Sequence, residues 1–555
     1  MKHNFTHFIL GLFLIFGGVV ASAQVKSLKI ILPLKPGAIT LHAGQILARE
    51  ITNRCDTRIV DRNATYKIEL LIDKKYGDES FHIVNDGTKG VKIIGGDERG
   101  LIYGVGKFLR ISRFERGWFT PGSWRGKSTP VGKVRGIYFA THFNNFYEAA
   151  PIEEIKKYLD ELALWGVNYL VITFPQFQFT GFTDIAAQQS ISRLKQIMWA
   201  AKANGMKVGI IQVPNGGFKS TIKEFLNVPV PDELHRRGHF GINLNPSNSG
   251  AHELLMKNWM QELKIFKDVG LDAIIFWPYD EGGCGCSQCW PWGARGFPKL
   301  CQDFSNIARD EFPMIKIVLS TWMFDTPPAG EWEGLSKFLK KEKGWANYIM
   351  ADSHEEFPRY PLDIGVPGNL PLLNFPEISM WGQTPWGGYG ANPFPNRLQR
   401  LWNETENKVS GGFPYSEGIY DDINEVICSQ LYWDGNRSTE DIVREYIAYE
   451  FSPEVVDDIA KAVKIFESNQ DRKHIDSGAI VAFHLVKHAE QKLTSQVLKS
   501  WRWRIVYLRA LIDCEMFKTK GKLEGETLRQ AFNELTHIYH AEHSHSMPIH
   551  PPVIK

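Results

Sequence analysis

The sequence has little net charge, few cysteines and few long hydrophobic runs, and each shortage excludes a class of protein. Its 555 residues contain 64 Lys and Arg against 62 Asp and Glu, a formal net charge of +2. This balance gives no electrostatic reason to expect nucleic acid or an anionic membrane as a partner. Hydrophobic content of 43% and charged content of 23% exclude a disordered, collagen-like or coiled-coil chain.

One hydrophobic run stands at the N-terminus. Lys2 precedes an apolar stretch from Phe8 to Val20, and Ala21-Ser22-Ala23 follows as a cleavage site. The stretch is shorter than the ~20 residues needed to cross a bilayer. The pattern predicts a signal peptide over residues 1–23 and a secreted or periplasmic mature protein without a membrane span; an uncleaved anchor is the alternative.

Four of the seven cysteines lie close together in the sequence. They are Cys284, Cys286, Cys289 and Cys301. Such a cluster could hold a structural Zn²⁺. In an exported protein the same thiols could form disulfides, or they could remain free. Spacing does not decide among the three, and beyond this possible zinc we expect no cofactor and no catalytic metal.

Aromatic residues are abundant, with 17 Trp, 18 Tyr and 34 Phe. They can simply fill a core. Their flat apolar faces also suit stacking against sugar rings.

The chain pattern predicts an α/β protein with three regions after the signal peptide. Residues 24–130 indicate a small α/β domain that ends in a linker rich in Gly, Pro, Ser and Trp. Residues 131–437 alternate strand-like and helix-like segments, and residues 438–555 are typical of a helical region. At ~150 residues per domain, the length is compatible with roughly three or four domains.

Eight apolar runs of β type recur in the central region, each followed by a helical stretch. They are Val134–Phe139, Tyr169–Phe174, Lys207–Val213, Ala273–Trp277, Ile315–Leu319, Tyr348–Ala351, Leu370–Leu373 and Gly411–Tyr415. Eight such units predict a (β/α)₈ barrel. An open doubly wound sheet is less favoured, because no Gly-rich phosphate fingerprint follows the early strands.

Polar and aromatic residues follow these runs regularly. They are His142, Asn144, Asn145, Asn215, Asp280, Glu281, Trp322, Asp325, Asp352, Glu377, Trp381 and Glu417. In a barrel these positions meet at the C-terminal face, where active sites lie.

The pair Asp280-Glu281 is the sharpest chemical signal. Glycosidic cleavage needs one carboxyl to protonate the leaving oxygen and a second group to attack or to stabilise the oxocarbenium ion. Apolar walls raise the pKa of such an acid, and Trp and Tyr surround this pair in the sequence. The alternatives are a plain acidic loop or a cation site.

Several motifs resemble those of glycoside hydrolases. Ile94–Gly104 resembles the small α/β domain that precedes the barrel in family 20, and families 67 and 84 have a similar domain. Arg135-Gly136 is similar to the substrate-binding arginine of family 20, and Asp280-Glu281 resembles its fourth-strand acid pair. The chain departs from family 20 at Thr173–Phe177, where that family has a His-x-x-x-Asp stretch. The cysteine cluster is more similar to family 163 endo-β-N-acetylglucosaminidases.

The resemblance to this barrel clan implies substrate-assisted, retaining hydrolysis of a β-linked N-acetylhexosamine in a glycan. Asp280 would orient the acetamido group that attacks the anomeric carbon, and Glu281 would be the general acid and then the base. Trp322 would wall the acetamido pocket and Glu417 would bind outer hydroxyls. The other candidate substrate-binding residues are Arg135, Asn144, Asp352, Glu377 and Trp381.

Two alternative functions remain open at this stage. Glu281, Asp352 and Glu377 occur in an order similar to the acids of family 67, which would imply an inverting α-glucuronidase with a cationic pocket. Arg135, His142 and Lys316 are the candidates for that pocket. A barrel rich in tryptophan could also bind carbohydrate without catalysis.

Overall fold

A mixed sheet with two helices forms the first region. The computed structural model describes residues 24–142, 145–230, 241–279, 282–326, 328–379, 390–405, 408–470, 475–543 and 552–555. The predicted signal peptide lies outside these residues. The elements of the first region are β1 (Ser27–Ile31), α1 (Ala38–Cys55), β2 (Arg58–Ile59), β3 (Tyr66–Ile72), β4 (Phe81–Asn85), β5 (Gly90–Gly95), α2 (Glu98–Arg110), β6 (Arg113–Glu115), β7 (Trp118–Thr120) and β8 (Gly126–Ser128).

Six of these strands form one sheet in the order β2-β1-β3-β5-β4-β8. The strands β2, β1, β3 and β5 are parallel, whereas β4 is antiparallel to both of its neighbours. Helix α2 packs against β5 and against α1. Asp97 caps its N-terminus: the Asp97 carboxylate accepts a hydrogen bond from the Gly100 amide at 2.7 Å and so satisfies one of the free donors of the first turn.

The central region is a closed barrel. Its elements are β9 (Val134–Phe139), α3 (Phe146–Ala149), α4 (Ile152–Leu164), β10 (Tyr169–Thr173), α5 (Ile185–Ala203), β11 (Lys207–Gln212), α6 (Ser249–Ile265), β12 (Ala273–Phe276), α7 (Gly296–Glu311), β13 (Lys316–Ser320), α8 (Glu331–Lys341), β14 (Tyr348–Ser353), α9 (Arg359–Asp363), β15 (Leu372–Pro376), α10 (Pro395–Thr405), β16 (Val409–Gly412) and β17 (Tyr415–Ser416). Strands β9 to β16 are parallel, and β9 pairs with both β10 and β16. The predicted (β/α)₈ barrel is confirmed, and the open sheet is excluded.

The seam between β16 and β9 requires a glycine. Gly411 pairs with Val134 and has a φ of 120°. A Cβ at this position would lie 1.7 Å from the Val134 carbonyl oxygen. Only glycine allows the two backbones to approach this closely.

Six of the eight predicted strands agree with the observed ones to within two residues, and the seventh, predicted over Leu370–Leu373, ends three residues before β15 does. The eighth differs more, because the run predicted over Gly411–Tyr415 is divided into β16 and β17. Pro414 stands between them and has no N–H to donate to a strand ladder. The division places Tyr415 beside Tyr138 of β9.

The barrel interior has its own apolar cluster, separate from the contacts between barrel and helices. Side chains of alternate strand residues form it, and they include Tyr138, Val171, Ile275, Met350 and Phe375. Successive residues of a strand face opposite sides, so residues two positions apart face the same side. The residues two positions after these therefore also point inward, at the open end of the barrel.

Helices complete the chain. They are α11 (Asp422–Trp433), α12 (Thr439–Glu450), α13 (Val456–Ser468), α14 (Gly478–Glu490), α15 (Ser495–Leu498), α16 (Trp501–Lys518) and α17 (Glu526–Ile538). Arg502 of α16 joins this region to the barrel: it donates to Asp422 at 2.8 Å and to Glu161 at 2.7 Å. Within the described residues, no helix has the length and apolar character needed to cross a membrane.

Candidate active site

Acids and aromatic rings meet at the C-terminal end of the barrel strands, which we call the mouth. They are Trp277 after β12, Trp322 after β13, Asp352 in β14, Phe375 in β15, Glu377 after β15, Tyr415 in β17 and Glu417 after β17. Trp277, Trp322, Asp352, Tyr415 and Glu417 are partly exposed there, whereas Phe375 and Glu377 are buried.

Aromatic rings line one wall of the mouth. The Trp277 and Trp322 rings stack with centroids 5.2 Å apart, and Phe375 lies 4.9 Å from Trp277. His354 continues this wall, with its ring 4.9 Å from that of Trp322. Such a surface offers flat apolar faces to a ring-shaped ligand.

His354 lies between two carboxyls. Its Nδ1 is 3.9 Å from Asp352 Oδ2, and its Nε2 is 4.0 Å from Glu377 Oε2. Burial, with a smaller contribution from the charge of Arg397, lowers the pKa of His354 to about 4. The imidazole is therefore neutral at pH 7 and does not neutralise the two acids as a cation would.

Glu377 is the most enclosed acid of the mouth, with 5% of its surface exposed. The Ser379 amide donates to its Oε1 at 2.9 Å, and the Ser379 hydroxyl donates to the same oxygen. Burial raises the pKa of Glu377 to about 7, although Ser379 and the charge of Arg397 oppose the rise. The carboxyl therefore retains its proton to near neutral pH.

Asp352 and Glu417 are shifted in the same direction. Burial, aided by the charge of Asp325, raises the pKa of Asp352 to about 7. Burial and the charge of Glu377 raise the pKa of Glu417 to about 8, while the hydrogen bond from Tyr415 at 2.8 Å opposes the rise. Three neighbouring carboxyls are thus substantially protonated at pH 7.

Tyr138 and His142 form the side of the mouth that borders Tyr415. The Tyr138 hydroxyl lies 2.7 Å from His142 Nδ1, and the two rings are parallel within 4°. The Tyr138 ring is 5.6 Å from the Tyr415 ring. Burial lowers the pKa of His142 to about 3, so this side chain is also neutral.

The described acids and histidines of the mouth are therefore polar but at most partly charged at neutral pH. Protonated carboxyls both donate and accept hydrogen bonds, which suits a neutral ligand with many hydroxyls. An acid with a pKa near 7 can also transfer a proton at physiological pH. Groups with perturbed pKa values cluster at functional sites, so the mouth is the candidate catalytic centre.

The structure brings together four of the predicted site residues and leaves four undescribed. Trp322, Asp352, Glu377 and Glu417 meet at the mouth. The predicted catalytic acids Asp280 and Glu281, and the predicted substrate-binding residues Asn144 and Trp381, lie outside the described residues.

The chain on either side of the acid pair is firmly held. Tyr279 is fully buried and its hydroxyl donates to Glu331. On the other side, the Gly283 amide donates to Asn215 Oδ1 at 3.1 Å, and its carbonyl accepts from Asn215 and Asn227.

Arg135 is not part of the mouth, contrary to the expectation that it binds substrate. In β9, Val134 and Tyr138 occupy alternate positions that face the barrel interior. Arg135 occupies the intervening set of positions, so its side chain lies on the outer face of β9. There the fully buried guanidinium donates to Glu79 at 2.6 Å and to the Gly166 carbonyl at 2.8 Å. Arg135 thus anchors the first region to the barrel and cannot contact a ligand in the mouth.

Sequence reasoning missed several side chains of the mouth. These are Tyr138, Trp277, His354, Phe375 and Tyr415. The sequence does hold a signal for such residues, because alternate residues of a strand point to the same side. Trp277 follows Ala273 and Ile275 in this alternation, and those two face the barrel interior. Residues inside the strands therefore line the mouth together with those that follow the strands.

Three of the four clustered cysteines come together. The sulfur atoms of Cys284, Cys286 and Cys289 lie within 4.8 Å of one another. Cys301 does not join them; it is buried in α7. No disulfide joins any of the seven cysteines in the structure.

A separate cleft of about 730 Å³ lies between the first region, α4 and the C-terminal helices. Its walls carry both signs of charge, with Glu161 and Glu450 facing Arg54 and Arg502. These groups pair with one another, so ion pairs account for the charges on its walls.

No protein-family model and no curated protein matches the sequence, but solved structures share its fold. The chain is similar to a family GH115 4-O-methyl-α-glucuronidase with specificity for decorated arabinogalactans, at 10% identity and a TM-score of 0.62, over 94% of this chain and 76% of that one. It is similar to a family 89 glycoside hydrolase from Clostridium perfringens at 13% identity and a TM-score of 0.59, over 90% and 65%. It is also similar to a GH20 exo-β-N-acetylglucosaminidase from Vibrio harveyi at 11% identity and a TM-score of 0.52, over 80% and 75%. At these identities the likeness establishes the shared barrel fold.

Proposed function

We propose that the protein is a glycoside hydrolase that acts at an N-acetylhexosamine residue of a glycan. The observation that carries the proposal is the mouth itself, where Asp352, Glu377 and Glu417 have pKa values near 7 to 8 beside stacked tryptophans. Protonated carboxyls offer hydrogen bonds to sugar hydroxyls, and the aromatic wall offers an apolar face to the ring.

Two orphaned polar atoms favour an acetamido sugar. The indole Nε1 of Trp322 and the Oδ1 of Asp352 are buried and have no hydrogen-bond partner among the described residues. Both residues lie beside His354. An unpaired donor and an unpaired acceptor complement the C=O and N–H of an acetamido group. Because surrounding side chains cover both atoms, contact requires a small rotation of Asp352 or Trp322.

The acid pair Asp280-Glu281 completes the proposal from sequence. In this mechanism the acetamido oxygen attacks the anomeric carbon while Glu281 protonates the leaving oxygen, and Asp280 orients and stabilises the acetamido group. Water then opens the cyclic intermediate with Glu281 as base, and the product keeps its anomeric configuration because two displacements occur. Glu377, Asp352 and Glu417 hold the sugar.

The structural neighbours support a glycosidase and differ in their substrates. One is named as an exo-β-N-acetylglucosaminidase, and the family 89 enzyme has been solved in complex with GlcNAc-α-1,4-galactose. Both names contain an N-acetylated glucosamine. This is consistent with the proposed substrate class and leaves the anomeric linkage to be tested.

An inverting α-glucuronidase is the second candidate. The placement of Asp352 and Glu377 on either side of His354 favours it, as does the name of the GH115 neighbour. A uronate needs a cationic partner, however, and the three candidates are unsuitable. Arg135 is engaged on the outer face, His142 is neutral, and Lys316 begins β13 at the opposite end of the barrel.

Product stereochemistry separates the two candidates. The purified protein is incubated with nitrophenyl glycosides of β-GlcNAc, β-GalNAc, α-GlcNAc and α-glucuronic acid, and the first-formed anomer is followed by NMR. We expect turnover of a β-N-acetylhexosaminide with a β product. Release of an inverted product from the α-glucuronide would replace the proposal with the second candidate. Binding without turnover of any substrate would support a carbohydrate-binding protein.

A further inference from the structure

Three cysteine sulfurs converge in the loop that follows β12. The Sγ atoms of Cys284, Cys286 and Cys289 lie within 4.8 Å of one another. Cys284 and Cys289 are buried, with 0% and 3% of their surface exposed, and Cys286 is partly buried. In a tetrahedral zinc site the metal–sulfur distance is about 2.3 Å, which places sulfur ligands roughly 4 Å apart.

Two side-chain oxygens from a second segment point at these sulfurs. The Ser247 hydroxyl lies 3.2 Å from Cys286 Sγ and 3.1 Å from Cys289 Sγ. Asn245 Oδ1 lies 3.5 Å from Cys284 Sγ and 3.6 Å from Cys286 Sγ. The sulfurs thus share one small volume with oxygens on its open side.

Asn215 holds the two segments in register. Its fully buried side chain donates to the Gly283 carbonyl at 2.9 Å and to the Leu244 carbonyl at 3.0 Å. The Gly285 amide also donates to the Val228 carbonyl at 2.9 Å. Because hydrogen bonds outside the cluster fix both backbones, the ligand geometry does not depend on a bond between the sulfurs.

A disulfide would use only two of the three sulfurs. The third would be left beside it as an unpaired thiol. A single cation with a preference for sulfur satisfies all three at once, and soft thiolate ligands with tetrahedral geometry select zinc among the common divalent metals.

We propose that Cys284, Cys286 and Cys289 bind one structural Zn²⁺ as three thiolates, with an oxygen ligand at the Ser247–Asn245 side. Binding releases three thiol protons, and no electron transfer is involved. The metal ties the loop after β12 to the segment before α6. The proposal is independent of the glycosidase proposal, since it concerns stability and metal content.

Metal analysis of the full-length protein tests it. After dialysis against metal-free buffer, we expect about one zinc per chain by inductively coupled plasma mass spectrometry. Replacement by Co²⁺ should produce the near-ultraviolet sulfur-to-cobalt absorption of a thiolate site. Cys286→Ser should lose both signals, whereas the matched control Cys301→Ala should retain both. Ser247→Ala should bind zinc roughly 10- to 100-fold more weakly, as expected for a residue that orients or completes a site.

Alkylation gives a readout that needs no variant. In the zinc-bound protein, the three cysteines should resist iodoacetamide until a chelator is added. A disulfide would lower the mass of the metal-free protein by 2 Da relative to the reduced chain and would leave two of the three cysteines unreactive after chelation. That result would overturn the proposal. Retention of metal by Cys286→Ser would overturn it as well, as would three freely reactive thiols in metal-free protein that has been offered zinc.

Discussion

Replacing Glu377 with glutamine tests whether burial holds the acids of the mouth in their neutral form. Glutamine has nearly the same shape, and its amide oxygen can accept the hydrogen bonds that Ser379 donates. The substitution therefore removes the ionisable proton while preserving most of the packing. Glu377 is the best choice of the three acids because only 5% of its surface is exposed.

The size of the expected change in folding stability follows from the raised pKa of Glu377. A rise from the ordinary value of 4.5 to about 7 corresponds to about 3 kcal/mol of preference for the neutral form in the folded state. For a carboxyl with a raised pKa, this stabilisation is complete below the unfolded pKa near 4.5 and is lost as the pH rises through about 7.

The difference in stability between wild type and Glu377→Gln should therefore be small at pH 5. At pH 9 the variant should be more stable, because wild type then carries a buried charge. One kcal/mol moves the melting temperature of a large domain by roughly 2–4 °C, so we expect a gain of roughly 5 °C or more. If the proposed function is right, glycoside hydrolysis should fall at every pH, since the carboxyl proposed to bind the sugar is gone.

Thermal unfolding at intervals from pH 5 to 9 checks this predicted difference in stability. It is measured for wild type, for Glu377→Gln and for the control Glu356→Gln. Glu356 is exposed, so its variant should follow wild type throughout. A Glu377→Gln difference that stays constant with pH would show that Glu377 has an ordinary pKa, and the reasoning about the mouth would then fail.

Three further predictions follow from other parts of the chain. Arg135→Leu should lower the melting temperature, because loss of a buried partner of Glu79 costs about 3 kcal/mol, yet it should leave kcat/KM unchanged below that temperature; a loss of substrate affinity in folded protein would return Arg135 to the site. Glu281→Gln should slow hydrolysis of natural glycans by about 10²–10⁴-fold and nitrophenyl glycosides much less, whereas Asp280→Asn should slow both alike; full activity in both variants would move the chemistry elsewhere. Mass spectrometry of exported protein should show Gln24 as the first residue, and an intact Met1 on mature protein would contradict the predicted signal peptide.

The barrel could be predicted from sequence because its strands are local features. A parallel strand covered on both sides is a continuous apolar run, as in Ala273–Phe276, where the predicted run Ala273–Trp277 exceeds the strand by one residue. The count of eight runs then indicated the topology. The candidate acids were also found, since Asp352, Glu377 and Glu417 stand at or just beyond the strand ends.

Because both faces of these strands are buried, the sequence does not show to which side each side chain points. All six residues of β9 are buried, so no alternation of polar and apolar residues shows which of them face the barrel interior. The sequence alone therefore places Arg135 in the site and gives no sign of Tyr138 on the other face. Only the closed sheet decides the direction.

By itself, then, the sequence determined the order of the elements and the kinds of residue at the strand ends, because hydrophobic runs and turns are short-range patterns. The tertiary structure alone placed His354 between Asp352 and Glu377, separated Cys301 from the other three cysteines, and enclosed Glu377 so that its pKa rises. These properties depend on distances between residues far apart in the chain and on the water excluded around them. Both arise only when the strands close into a barrel.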